Sequence, residues 1–293
     1  MIQDSDFIAS LKQIELFLRP SKYSKRLGIH HLANHGQSLE FSGYQEYRPG
    51  DDLKDLDWKL FARSDRYFVK QKDTQTFAST LILLDDSPSM GFYSSSARIS
   101  KFQGALLLAF ALGYVLYKQG DVFGFQALFT DEISQKPRSS KKAFFNFTHT
   151  LEKMNRQGPL GNKEFSNRHY QPKSIDHIFV ISDFLAPDGQ WKDWFGMINL
   201  IAKETSCFHL IDPEEERPHP HAEVRNIENK GEYRYISSGD WKEYRKNFLF
   251  HKQKLRRWCL QQNIDYSAMY TDQSIENSIQ KQLWSKKLKN GAS

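Results

Sequence analysis

The segment Leu81-Ile-Leu-Leu-Asp-Asp-Ser-Pro-Ser-Met90 sets one carboxylate and two hydroxyls, Asp85-x-Ser87-x-Ser89, directly after an apolar run. Carboxylate and hydroxyl oxygens are hard donors, suited to Mg²⁺ or Mn²⁺ and poorly matched to zinc. A second run, Ile178-Phe-Val-Ile-Ser-Asp183, has the same design and ends on another carboxylate. Two carboxylates brought together repel unless one is protonated or a cation bridges them. The expected site is therefore a divalent-metal site with Asp85, Ser87, Ser89 and Asp183 as ligands. Neutral serines leave such a metal with residual positive charge and an open position, which a partner protein's carboxylate could fill. The metal is then a binding contact and not a catalyst. The plainer account of Ser87 and Ser89 is that they cap the next helix.

A competing chemistry uses Asp85 as the nucleophile of an Mg-dependent phosphotransfer or phosphatase enzyme, since acidic pairs after buried strands also serve that role. The pattern for it wants Asp-x-Asp-x-Thr, and here the third position is Ser87. A metal-dependent nuclease built on the acidic block Asp51, Asp52, Asp55 and Asp57 lacks a lysine at a recognisable spacing. That block alternates with Arg48, Lys54, Lys59, Arg63 and Arg66, so an ion-pair network anchored by Trp58 is the simpler reading. His30, His31 and His35, like His219 and His221, have no cysteines or helical spacing to support a zinc site. No Gly-x-x-x-x-Gly-Lys-Ser/Thr occurs, so the chain is not itself a P-loop ATPase.

The elements that must position these groups follow from periodicity. A short apolar run bounded by turns reads as a strand buried on both faces. Strands are expected at Ser79–Leu84, Asp121–Phe129, His177–Ile181, Cys207–Ile211 and Tyr266–Tyr270. Helices are expected at Ile99–Tyr117, Lys141–Met154, Trp191–Ala202, Trp241–Gln262 and Ser274–Leu288. Shorter strand candidates lie near Ala222–Ile227 and Tyr233–Ile236. Strands separated by helices imply crossover connections and a mainly parallel, doubly wound sheet with helices on both faces. Its central strands open their carboxyl ends onto one crevice, so Asp85 and Asp183 should converge there. Residues 1–78 have another texture, a helical rhythm up to Pro20 and then a β-rich stretch with Tyr67–Val69 as a strand. The expected division is 1–78 and 79–293.

Composition fits a folded α/β chain: 293 residues, 39% hydrophobic, 26% charged. The net charge of +6 is not gathered into one block, and the densest basic stretches, Lys252–Arg257 and Lys281–Lys289, read as solvated helix faces. Nucleic acid is therefore not an expected partner. Cys207 and Cys259, far apart in sequence, are expected as buried thiols in a reducing compartment. Phe102–Tyr117 is short for a membrane span, and residues 1–20 lack a signal-peptide pattern. The expected location is the cytoplasm.

The Asp85-x-Ser87-x-Ser89 loop resembles the first part of the metal-ion-dependent adhesion site of von Willebrand factor A domains. Gly43-Tyr-Gln-Glu-Tyr-Arg-Pro-Gly-Asp-Asp-Leu-Lys-Asp-Leu-Asp-Trp-Lys-Leu-Phe-Ala-Arg63 resembles the R-x-Y-x-x-G-D-D-x-R-x-I-D-W-x-x-x-A-R stretch of domain-of-unknown-function family 58. Ile181-Ser-Asp-Phe184 and Asp212-Pro-Glu-Glu215 agree with it further, and the matches span about residues 25–270. The resemblance implies a von Willebrand factor A-like core preceded by a small β-containing element. It also implies a non-enzymatic, chaperone-like role with a MoxR-type AAA+ ATPase and its client protein. One departure bears on the metal: the adhesion site wants a threonine on a later loop, where this chain reads Gly158-Pro-Leu-Gly-Asn-Lys163. Thr148 and Thr150 are expected inside a helix, and Asn162 or Ser166 could offer an oxygen.

Overall fold

The structure is a computed structural model. It describes residues 5–11, 40–48, 56–73, 78–130, 134–154, 174–185, 190–217, 223–225, 233–235, 238–275, 277 and 279. The chain forms two compact units, Pro20–Phe77 and Met1–Arg19 with Ala78–Ser293.

In the smaller unit, β1 (Glu40–Glu46) pairs antiparallel with β2 (Phe68–Asp73), with a register shift between Phe41 and Gly43. Helix α2 (Trp58–Ser64) stands between them in sequence. Asp57 caps it by accepting the Lys59 and Leu60 N–H groups at 2.9 and 3.1 Å, and also takes the Tyr44 hydroxyl at 3.0 Å. Trp58, expected as the apolar anchor, is 64% exposed; Leu56, buried and bridged to Val69, fills that place. The carboxylate that caps the helix puts the next side chain on its outer surface. Asp51, Asp52, Lys54, Asp55 and the three N-terminal histidines lie outside the described residues.

The larger unit is a six-stranded sheet. Its strands are β3 (Ser79–Leu84), β4 (Val122–Ala127), β5 (Ser134–Arg138), β6 (Ile175–Ser182), β7 (Ala202–Ile211) and β10 (Asp265–Tyr270). Their order is β10-β7-β6-β3-β4-β5, all parallel except β5, which runs antiparallel to β4. The chain builds outward from β3 on one side, then crosses to β6 on the other. That reversal makes the β3–β6 boundary the topological switch point, where doubly wound sheets open a crevice. β8 (Glu223–Arg225) and β9 (Tyr233–Tyr235) form a separate antiparallel pair.

Alternation along the central strands feeds two cores, because successive side chains point to opposite faces. Ile82, Leu84, Phe179 and Ile181 pack with α3 (Lys101–Gln119) and α4 (Lys141–Lys153). Leu81, Leu83, Ile178 and Val180 pack with α5 (Gln190–Ile201) and α7 (Ser238–Gln261). Cys207 on β7 and Cys259 on α7 are free, buried thiols in the second core. Helix α3 is buried around most of its circumference, and Gly113 lets it meet α4 closely: a Cβ there would lie 2.3 Å from the Phe147 ring.

Three expectations change. Helix α1 (Ser5–Leu11) belongs to the larger unit, not to a 1–78 domain, because Leu11 is buried in the core lined by α3. Strand β5 was not anticipated; Ser134-Gln-Lys-Pro-Arg138 is polar and carries a proline, as an edge strand tolerates. Strand β7 starts at Ala202, directly after α5, well before Cys207. Of the expected terminal helix, Ile275, Asn277 and Ile279 are helical and the rest lies outside the described residues. No helix among the described residues is long and apolar enough to cross a membrane.

Candidate functional site at the carboxyl end of the sheet

Asp85 follows β3 directly, and its N–H extends the ladder to the Ile181 carbonyl at 2.9 Å, tying it to the end of β6. Asp183 follows β6. The paired strands thus bring the two expected carboxylates to the switch point, both only 2% exposed. Asp85 accepts the Ser87 N–H at 2.8 Å and the Ser182 hydroxyl. The Ser87 and Ser89 hydroxyls lie 3.0 Å apart, and the Ser89 hydroxyl helps to lower the Asp183 carboxyl. All four expected ligands therefore form one constellation. Ser87 flanks a short 3-10 turn, Pro88–Gly91, but its side chain makes no cap bond, so the capping account fails for it.

The two carboxylates differ in charge environment. Burial, reinforced by the negative charge of Asp183, pushes the Asp85 carboxyl up to about 7. Burial also works against Asp183, but the Lys101 ammonium overcomes it and holds that carboxyl below its ordinary value. Lys101 is the first residue of α3 and is fully buried. Its Nζ donates to Asp183 Oδ2 at 2.7 Å and to Glu215 Oε1 at 2.6 Å. Burial holds Glu215 above the ordinary carboxylate range despite this ammonium.

Sequence reasoning missed Lys101 and Glu215. A signal was present: a lysine at a helix N-terminus opposes the macrodipole and needs a nearby carboxylate to offset it. Glu215 is placed by a capping box in α6 (Pro213–Glu216), where its side chain accepts the Asp212 N–H at 2.9 Å. Asp212 in turn accepts the Ser94 N–H at 3.0 Å and the Ser94 hydroxyl. Asp86 serves the fold, accepting the Phe129 N–H at 2.8 Å and the Thr130 hydroxyl. Phe184, fully buried beside Asp183, has φ 51°, a conformation costing a bulky residue about 1–3 kcal/mol.

Thr148 and Thr150 donate to carbonyls of their own helix, Phe145 and Asn146, and take no part in the site. Gly158–Lys163 and Ser166 lie outside the described residues, as do His219 and His221. Among the described residues no group of three or more His, Cys, Asp or Glu side chains is placed to hold a metal ion. A cation here would therefore depend on hydroxyl oxygens. The donor set suits a hard divalent ion: carboxylate and hydroxyl oxygens of Asp85, Ser87, Ser89 and Asp183 lie at the two strand ends. The Lys101 ammonium pairs with Asp183 and Glu215, with no ion pair to Asp85 among the described residues.

The family model described as "Protein of unknown function DUF58" matches residues 43–253. Relatives include the uncharacterized protein Rv1480 of Mycobacterium tuberculosis and the uncharacterized protein Mb1516 of Mycobacterium bovis. Each is 24% identical over 222 residues, covering 72% of this chain and 67% of the relative. Among solved structures, the conserved hypothetical protein BatB from Bacteroides thetaiotaomicron is 17% identical with a TM-score of 0.42, covering 72% of this chain and 99% of that one. An aerotolerance-related membrane protein from Bacteroides fragilis is 16% identical with a TM-score of 0.37, covering 71% and 99%.

Proposed function

We propose that this chain, which belongs to the DUF58 family, is a non-enzymatic protein-interaction module with a von Willebrand factor A-like core. It acts in the cytoplasm with a MoxR-type AAA+ ATPase in assembling or activating a client complex. Its contact point is a divalent cation, Mg²⁺ or Mn²⁺, held by Asp85, Ser87, Ser89 and Asp183. The observation that carries this reading is the placement of those four side chains at the β3–β6 switch point, with no ion pair to Asp85 among the described residues.

When bound, the cation supplies a positive centre that a partner carboxylate can complete. The protein's own contribution is to orient the ligands. The β3–β6 ladder sets the two carboxylates side by side, and the Ser87 N–H fixes one Asp85 oxygen. An attacking role for Asp85 gains little support, since one of its oxygens accepts the Ser87 N–H, the other the Ser182 hydroxyl, and the residue is buried.

The test is capture of partners from native lysate by tagged protein, in Mg²⁺ and in EDTA, beside an Asp85→Ala control. Recovery of an AAA+ ATPase only with Mg²⁺ and intact Asp85 is the expected result. Equal recovery in all three conditions keeps the interaction role and removes the cation from it. Mg²⁺-dependent phosphoester hydrolysis that disappears in Asp85→Asn would replace the reading with an enzymatic one.

A further inference from the structure

Lys101 is the feature of the site that a simple cation-binding loop does not require. It is fully buried, and its surroundings hold it from several sides. Asp183 and Glu215 accept from its ammonium at 2.7 and 2.6 Å, and the Phe92 ring centroid lies 5.6 Å away. Its backbone N–H donates to the Phe92 carbonyl at 3.3 Å, directly after the Ser100–Gln103 capping box that starts α3. Glu215 is fixed by its bond to the Asp212 N–H. Both oxygens of Asp183 are engaged, Oδ2 by the ammonium and Oδ1 by the Leu185 N–H at 3.2 Å.

We propose that Lys101 sets the affinity of the strand-end site by holding Asp183 as its own ion-pair partner, so that a divalent cation binds weakly until a partner's carboxylate completes its ligands. The inference rests on the cation reading above. A dication entering beside Asp85, Ser87 and Ser89 must share Asp183 with an ammonium already in contact with it. Like charges converging on one buried carboxylate repel strongly, because little solvent screens them. A carboxylate from a partner supplies the missing negative charge. Cation and partner then bind cooperatively, and each raises the affinity for the other by the same factor. The lysine thus makes the site conditional, where two free aspartates would make it constitutive.

The test is Mn²⁺ titration, followed by the electron paramagnetic resonance signal of free Mn²⁺, on the purified chain and its variants at one fixed pH. Lys101→Met/Glu215→Gln removes the ammonium together with one of its carboxylates, which keeps the formal charge of the cluster while freeing Asp183. It is expected to bind Mn²⁺ about tenfold or more tightly than the unmodified chain. Glu215→Gln alone, which commits the ammonium to Asp183, is expected to bind no more tightly than the unmodified chain. Asp85→Asn should abolish binding in either background. Lys101→Met alone provides a second readout: its melting temperature should rise with Mn²⁺ by more than that of the unmodified chain.

If the double variant binds Mn²⁺ no more tightly while Asp85→Asn still abolishes binding, the role of Lys101 is wrong and the cation site stands. If neither the unmodified chain nor any variant binds Mn²⁺, the cation reading falls and takes this inference with it. A Mn²⁺-induced melting shift equal in Lys101→Met and the unmodified chain would also overturn it.

Discussion

The two ends of the central sheet each carry a pair of aspartates and a lysine, and they use them differently. At the amino end, Asp176 accepts the Ser79 N–H at 2.9 Å and the Lys203 ammonium at 2.7 Å, and Asp121 accepts the Ala78 N–H at 3.0 Å. These carboxylates satisfy backbone donors at the start of β3, and Lys203 keeps 29% of its side chain in solvent. At the carboxyl end, Lys101 is fully enclosed against Asp183, Asp85 accepts the Ser182 hydroxyl, and the Ser87 and Ser89 hydroxyls bond each other. Both ends hold backbone donors, but only the carboxyl end adds hydroxyls and a fully buried ammonium to its carboxylates. The same residue types lock the amino end of the sheet, and on the cation reading proposed above they leave the carboxyl end open to a ligand.

Removing the lysines gives the largest expected contrast. Lys101→Met should cost about 3–5 kcal/mol, because it strands two buried carboxylates. Lys203→Met should cost at most about 1 kcal/mol, because water screens that pair. Urea unfolding of both variants measures the difference, and equal losses would dissolve the contrast between the two ends.

Removing an aspartate from each end is the next test. Asp176→Ala leaves the buried Ser79 N–H unsatisfied and should cost about 1–3 kcal/mol, equally in Mg²⁺ and in EDTA. Asp85→Ala relieves repulsion with Asp183, so in EDTA it should cost less than Asp176→Ala. Any stabilisation by Mg²⁺ should vanish in it. Unfolding midpoints of the two variants in both buffers check this, and a Mg²⁺ response that survives Asp85→Ala would place the cation elsewhere.

The smallest effect concerns pH at the amino end. Burial pushes the Asp121 carboxyl up to about 6, with Asp176 adding to it. A raised folded-state value means that this group's contribution to stability is full below its unfolded value and is lost as pH rises through about 6. Asp121→Asn keeps an acceptor for the Ala78 N–H without the charge. It should be more stable than the unmodified chain at pH 8, by no more than about 1 kcal/mol, with the gain disappearing near pH 4. Thermal melts across that range test the sign, and a larger gain at low pH would reverse the assignment.

Much of this molecule is legible along the chain, because strands and helices are written in local periodicity. Ser79–Leu84 falls on the expected residues, and the helices around Phe102, Phe147 and Trp194 lie within a few residues of their expected ends. The abrupt end of the apolar run at Leu84, repeated at Ile181, marks both site carboxylates without any knowledge of their neighbours. Strand β5 carries no such mark, because an edge strand needs backbone pairing more than an apolar face.

The tertiary structure alone decided what those carboxylates face. Nothing in the spacing of Lys101, Asp183 and Glu215 announces that one ammonium bridges the ends of two neighbouring strands. That contact depends on the sheet order β7-β6-β3 and on α3 starting above it, both products of long-range packing. The sequence by itself determined the elements and the polar residues that end them, since each rests on interactions within one or two turns of chain. The charge state and partners of the site were decided only when strands distant in sequence became neighbours, because burial and Coulomb interaction depend on distance in space and not on position along the chain.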